Sequence, residues 1–298
     1  MEGNLERFSG FADLYDEHRP TAPAALGPVL AAYAGVDAPD VVDIGSGTGL
    51  STRWAATWAR SVVGIEPNDD MRGQAEARGT AGVTYRRGHS ASTGLDDGCG
   101  DVVLAVQAMH WLEPTSTLAE VGRLLRPGGV FAVVDADWPP IAGSAAAEHA
   151  WKVLHRRIRV LEARASRGEE GGELRRPIED EDPTFADEDL VDPHRERAMP
   201  GGVRSWSKRE HLSRMSRSGH FAFTRELLFD QPIEGGADRF VALMRSQGSY
   251  QGLRRSGLSD ADIGADVFER AARAALTAGC SIELSFSWRA RIGVTTRA

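Results

Sequence analysis

The chain has 298 residues, 41% hydrophobic and 26% charged, with a net charge of −8. That length can bury a sizeable core in one large domain or two small ones, and the acidic balance argues against nucleic acid as a partner. Its two cysteines, Cys99 and Cys280, show no CxxC spacing, the opening residues show no apolar leader, and no apolar run approaches a membrane span, so a cytoplasmic, non-membrane protein is expected.

From residue 35 to about 135, short apolar runs alternate with helix-like segments, the pattern of βαβ units and a parallel sheet. Val41 to Ile44 reads as a first strand. Leu50 to Arg60 reads as a helix, with Leu50, Trp54 and Trp58 on one face. "SVVGIE" (61–66) and "VTYRRG" (83–88) are the next two strands. "DVVLAVQA" (101–108) is the fourth, apolar throughout as a strand buried on both faces must be. In "TLAEVGRLLRPGG", Thr117 and Glu120 predict a capping box, Leu118, Val121 and Leu125 an apolar stripe, and Pro127-Gly128-Gly129 a stop. "VFAVVDAD" (130–137) predicts a fifth strand.

Beyond residue 140 the pattern changes. Ala147, Trp151, Leu154, Ile158, Leu161 and Ala165 predict an amphipathic helix over 144–166, with the "RRIR" cluster (156–159) as a solvated face. Residues 167–200 hold twelve acidic side chains against five arginines and are broken by prolines, which predicts a loop or lid. A helix is expected over 207–218, a strand over "FAFTRELLFDQ" (221–231), helices near 237–247 and 259–278, and a last strand over "SIELSFSWRARIGV" (281–294).

The segment richest in chemistry is "VVDIGSGTGLSTRW" (41–54). A strand running through a glycine-rich turn into a helix sets backbone amides at a helix N-terminus, beside the carboxyl ends of parallel strands. Gly45, Gly47 and Gly49 each remove a Cβ, so a ligand can lie against main chain. Their spacing is GxGxG, whereas the dinucleotide fingerprint is GxGxxG, and no lysine follows to make a P-loop. Asp43 would repel a pyrophosphate but attract an ammonium group. Glu66 ends the second strand, where an acid can accept both hydroxyls of a ribose. Ammonium plus ribose describes S-adenosylmethionine better than NAD.

"VVDIGSGTG", "VVGIEPNDDM", "GCGDVVLAVQAMHWLE" and "EVGRLLRPGGVFAVVDAD", with "FADLYDEHRP" near the N-terminus, together resemble the class I S-adenosylmethionine-dependent methyltransferases, in the small-molecule branch of the ubiquinone and trans-aconitate methyltransferases. The resemblance covers residues 8–137 strongly and 220–295 weakly. It implies an α/β, Rossmann-like, doubly wound sheet of seven mostly parallel strands with a C-terminal antiparallel hairpin. It further implies N-terminal helices over 1–34, a methyltransferase core over 35–140 and 220–298, and a helical insertion over 141–219 that caps the substrate.

By position, the resemblance implies that Gly45, Gly47 and Gly49 line the methionine part of the cofactor, with Asp43 near its ammonium and Glu66 on its ribose. Pro67 and Met71 would flank the adenine, and His89, Ser90 and Ala91 stand where relatives often carry an aspartate on its amino group. Gln107 would end the fourth strand beside the cofactor, and Arg19 would pair with the cofactor carboxylate. His110 is the candidate general base, because a neutral imidazole can take a proton from an acceptor hydroxyl or amine, and Tyr15 would reach the methyl region. No histidine spacing suits a metal, and no GxSxG elbow suits a serine hydrolase. The expected function is methyl transfer to oxygen, nitrogen or carbon of a small metabolite. A cofactor-binding protein without transfer, or an NAD-dependent oxidoreductase, stays open as an alternative.

Overall fold

Five of the apolar runs form the parallel part of one seven-stranded sheet. The computed structural model describes residues 18–169, 171–175, 197–198, 204–276 and 284–297. Tyr15, most of the acidic 167–200 stretch and Cys280 lie outside the described residues. Strands β1 (Asp40–Ile44), β2 (Ser61–Ile65), β3 (Val83–Arg86), β4 (Gly100–Val106) and β5 (Leu125–Ala136) pair in parallel. Strands β6 (Phe223–Ile233) and β7 (Leu284–Val294) complete the sheet as an antiparallel pair. The order is β3-β2-β1-β4-β5-β7-β6, with β7 antiparallel to β5. This is the doubly wound sheet with a C-terminal antiparallel pair that the sequence predicts.

Strand β4 shows why its run carries no polar alternation. Val102 and Leu104 face one apolar cluster and Val103 and Ala105 the other, all fully buried. Strand β5 divides the same way, Val130, Ala132 and Val134 on one side and Phe131 and Val133 on the other. A side-chain period of two therefore serves a core on both faces.

The helices that follow the strands carry local start signals. Helix α1 (Leu26–Ala34) precedes β1, and α2 (Leu50–Ala55) follows it, ending sooner than predicted. Trp54 and Trp58 still meet edge-on, with ring centroids 5.4 Å apart. Helix α3 (Asp69–Ala77) starts at Asn68, whose side-chain oxygen accepts from the Met71 amide at 3.0 Å, with Asp69 and Asp70 in the first turn.

Helix α4 (Pro114–Leu124) begins three residues before the predicted capping box. Its cap is Glu113, which accepts from the Thr115 and Ser116 amides, with Pro114 at the first helical position. Thr117 and Glu120 form no box. Glu120 instead receives the Thr93 amide and hydroxyl and pairs with Arg123, and Thr117 donates to Ser90. Strand β5 begins at Leu125 directly after the helix, five residues before the predicted start.

Helix α5 (Ala145–Ser166) is capped by Ser144 and matches its predicted span. A single turn, Lys208–Glu210, leads into α6 (His211–Arg217). Between β6 and β7 come α7 (Ala237–Arg245), α8 (Gly248–Arg255) and α9 (Ala265–Leu276). The predicted helix over 259–278 breaks at Gly264, where φ is +86°, and α8 lies where the sequence predicts no element. Helix α5 packs on α8 and α9. Trp151 meets Phe240 at 5.0 Å and Phe268 at 5.8 Å. One helical layer is thus drawn from both 145–166 and 237–276. Among the described residues, no helix is long and apolar enough to cross a membrane.

Candidate active site

A cavity of about 490 Å³ opens at the carboxyl ends of β1, β2, β4 and β5. The chain leaves β1 for β2 on one side and pairs it with β4 on the other, so the loops there diverge and leave a crevice. Gly45, Gly47, Glu66, Pro67 and Met71 line one end. His89, Ser90 and Ala91 line it from the turn after β3, which Ser90 anchors to Thr117 of α4 at 2.9 Å. Gln107 and Arg19 complete the predicted residues that share this wall.

The glycine loop has the conformation that glycine alone adopts without strain. Gly45 sits at φ +73°, and a Cβ there would lie 2.9 Å from the Ala108 Cβ. A Cβ on Gly47, at φ +55°, would press on Met71 at 3.2 Å. Gly49 caps α2 at φ +82° against the Tyr85 hydroxyl and lies off the cavity wall. Its place is the turn rather than the methionine part of a ligand.

Two carboxyls flank this loop in different ways. Glu66 is 6% exposed and lies on the wall, its oxygens accepting from the Gly47 and Asn68 amides, each at 2.9 Å. Burial pushes its carboxyl above the usual range, against those two hydrogen bonds. Asp43 is fully buried and does not reach the wall. One of its oxygens accepts from Ser51 and Thr52, both at 2.7 Å, and the other has no hydrogen-bond partner among the described residues. Burial pushes its carboxyl up to about 6.

The end of β4 differs from expectation at His110. His110 is 3% exposed and lies off the cavity wall, its Nδ1 3.8 Å from Asp135. Trp111, its neighbour, takes the place on the wall. Asp135, buried on β5, is held by Lys208 at 2.9 Å and Arg291 at 3.0 Å. Burial alone would raise the Asp135 carboxyl, but the charges of Lys208, His211 and Arg291 outweigh it and hold it below its usual range. Arg291 continues to Glu226 at 3.0 Å. His110 belongs to the rim of this buried charge network.

The aromatic part of the lining carries no signature in the sequence. Trp111, Trp138, Trp206 and Trp288 form it, with Glu113 and Arg204. These tryptophans come from the turn after β4, the end of β5, the segment before α6, and β7. Arg19 lies over the Trp138 ring, 4.6 Å from its centroid. Each is an isolated residue in its own segment, so no local motif groups them. Among the described residues, no cluster of three or more His, Cys, Asp or Glu could hold a metal.

The residues present fit S-adenosylmethionine. Gly45 and Gly47 line the cavity in left-handed conformations with no Cβ, Glu66 offers a buried carboxylate beside them, and Asp43 holds an uncompensated oxygen behind the loop. Sheet order, glycine turn and switch-point crevice together define a Rossmann-like, doubly wound α/β fold.

Comparison with known proteins narrows this. Residues 42–133 match the family model described as "Methyltransferase domain". An uncharacterized methyltransferase of Mycobacterium tuberculosis is 34% identical over 128 residues, covering 43% of this chain and 51% of that protein. The malonyl-[acyl-carrier protein] O-methyltransferase of Pectobacterium atrosepticum is 29% identical over 127 residues, covering 42% of this chain and 49% of that protein. The chain spans about half the length of these curated relatives. A solved structure from Anaeromyxobacter dehalogenans, provisionally assigned as a type II methyltransferase, superposes with a TM-score of 0.62 at 24% identity, over 94% of this chain and 99% of that one. That likeness bears on the fold. Residues 42–133 thus resemble a methyltransferase domain.

Proposed function

We propose that the chain transfers a methyl group from S-adenosylmethionine to a small-molecule acceptor in the cytoplasm. One observation carries this: the glycine turn, Glu66 and four tryptophans line a single cavity, so a nucleotide-type ligand and an acceptor can meet inside it. Glu66 would hold the ribose. Gly45 and Gly47 would admit the methionine part, Met71 and Pro67 the adenine face, and His89, Ser90 and Ala91 its edge. Arg19 would meet the carboxylate, and Asp43, set behind the loop, would favour an ammonium through its field rather than by contact.

When bound, S-adenosylmethionine supplies a methyl group on a positively charged sulfur, already activated for displacement. The chain's own task is then to align and to exclude water, and alignment alone can lower a barrier by about 7–11 kcal/mol. Trp111, Trp138 and Trp206 supply apolar walls for that purpose. His110 faces Asp135 rather than the cavity, so the reading assigns it no proton transfer. Within the 141–219 insertion, Arg204 and Trp206 line the cavity and would cap the acceptor.

Calorimetric titration tests the reading. S-adenosylhomocysteine should bind and NADH should not, and Glu66→Gln should weaken the former by at least about tenfold, the loss of one charge-assisted contact. Preference for NADH would overturn it. Methyl-labelled cofactor incubated with a metabolite extract should yield a labelled small product. Binding without any labelled product would leave a cofactor-binding protein that does not transfer.

A further inference from the structure

Gln107 lines the cavity, and its backbone geometry is unusual. It is the only described non-glycine residue with positive φ, at +53°. A left-handed backbone at such a residue is strained and persists where the surroundings over-determine it. Its own amide donates to the Val134 carbonyl at 2.8 Å, and its neighbour Ala108 abuts the Gly45 turn. Its side chain lines the cavity, and the side-chain oxygen accepts from the Lys208 ammonium at 2.9 Å.

That single hydrogen bond decides which way the amide faces. An ammonium only donates, so the amide must turn its oxygen toward Lys208. Lys208 is itself fixed by the buried Asp135 at 2.9 Å, and Asp135 by Arg291. The Gln107 Nε2 group is left pointing away from Lys208, and no acceptor meets it among the described residues. The two N–H donors thus belong to a residue that lines the same cavity as Trp111, Trp138, Trp206 and Trp288. Lys208 and Trp206 lie on one short segment, so the element that walls the chamber also sets the amide.

Taking the methyl-transfer reading for the chamber's purpose, we infer that Lys208 is a positioning residue that makes Gln107 an obligate hydrogen-bond donor, and that the acceptor is a flat, apolar compound carrying an oxygen of carboxylate, carbonyl or phenolate type. The flat body suits the indole walls. The oxygen suits a donor that cannot rotate to accept. An amine in the same place would meet N–H against N–H, with its own hydrogens unpaired.

The test uses 2-naphthoate and 2-(aminomethyl)naphthalene as probes, titrated calorimetrically into the full chain saturated with S-adenosylhomocysteine. The wild type should bind 2-naphthoate at least tenfold tighter than the amine. Gln107→Glu, nearly the same shape and still paired with Lys208, should reverse that order. Lys208→Met should reduce the preference below threefold, and Lys208→Arg, another pure donor, should keep it.

S-adenosylhomocysteine affinity should change less than threefold in all three variants. A tenfold loss in Gln107→Glu would place the amide on the cofactor carboxylate and overturn the inference. So would an unchanged order in that variant, or a wild type that prefers the amine or binds neither probe. Should S-adenosylhomocysteine itself not bind, the methyl-transfer reading fails, and the same pair of probes on the free protein still decides the chamber's preference.

Discussion

In the half of the cavity built by β1 and β2, the buried titratable groups are acids that burial pushes up: Asp43 to about 6, and Glu66 above its usual range. Behind the wall formed by the end of β5 and the segment leading to α6, the comparable group is His211, 1% exposed and pushed down to about 4 mainly by burial. The buried acid of that second half, Asp135, already has Lys208 and Arg291 against it. The first half thus holds negative groups short of a positive partner, as a site awaiting a cationic ligand would. The second half is internally compensated and acts as a fixed wall.

The largest effect is expected where backbone and space coincide. Gly45→Val combines a left-handed residue, about 1–2 kcal/mol, with overpacking against Ala108, about 1–3 kcal/mol, and should weaken S-adenosylhomocysteine binding by about thirtyfold or more in calorimetry. Gly79, on the outer turn after α3, gives the control, because a Cβ added there would meet no atom within 4 Å. Its change to alanine should move binding less than about twofold. Equal losses at both glycines would show that the loop's shape is not what admits the ligand.

The contrast in buried charge predicts opposite pH trends. Asp43 is raised from 3.8 to about 6, so its contribution to stability is fully present below pH 3.8 and is lost as pH rises through 6. Two pK units correspond to about 3 kcal/mol, and Asp43→Asn should recover a share of that at pH 7. His211 is lowered from 6.5 to about 4, so its contribution is present above pH 6.5 and is lost as pH falls through 4. His211→Gln should remove a loss of about 3 kcal/mol over that window. In urea unfolding from pH 4 to 7, the difference from wild type should drift in favour of Asp43→Asn as pH rises and in favour of His211→Gln as pH falls. Parallel curves for the two variants would end the contrast.

The same division explains what the sequence made legible. The glycine half is contiguous: strand, loop, helix and the acid ending β2 all lie within residues 41–66, so period and spacing expose both fold and cradle. Even there, burial was hidden. Asp43 turns to Ser51 and Thr52 of α2 and Gly49 lies against Tyr85 of β3, and at the end of β4 His110 faces Asp135 of β5, because which side a residue takes depends on the element packed against it. The chamber half is assembled from residues up to 177 positions apart, Trp111 to Trp288, and only tertiary packing brings them together. The Gln107 to Lys208 bond is of the same kind, crossing 101 positions with no local signal.

The smallest effect tests whether the acid's position depends on the helix beside it. Asn68 caps α3 by accepting from Met71 and, through its own backbone amide, donates to Glu66 at 2.9 Å. Asn68→Ala removes only the side-chain bond, costing about 1 kcal/mol and lowering Tm by roughly 2–4 °C in a domain of this size. Because the backbone amide survives, Glu66 keeps its contact and S-adenosylhomocysteine affinity should fall no more than about threefold. In the other half, Ser144 caps α5 with a longer bond, 3.4 Å, so Ser144→Ala should cost less, about 0.5 kcal/mol, and leave affinity unchanged. Thermal melts and titrations of the two variants side by side separate the cases: a cofactor loss in Asn68→Ala far beyond its stability loss would mean that the cap, and not the loop, sets where the Glu66 carboxylate stands.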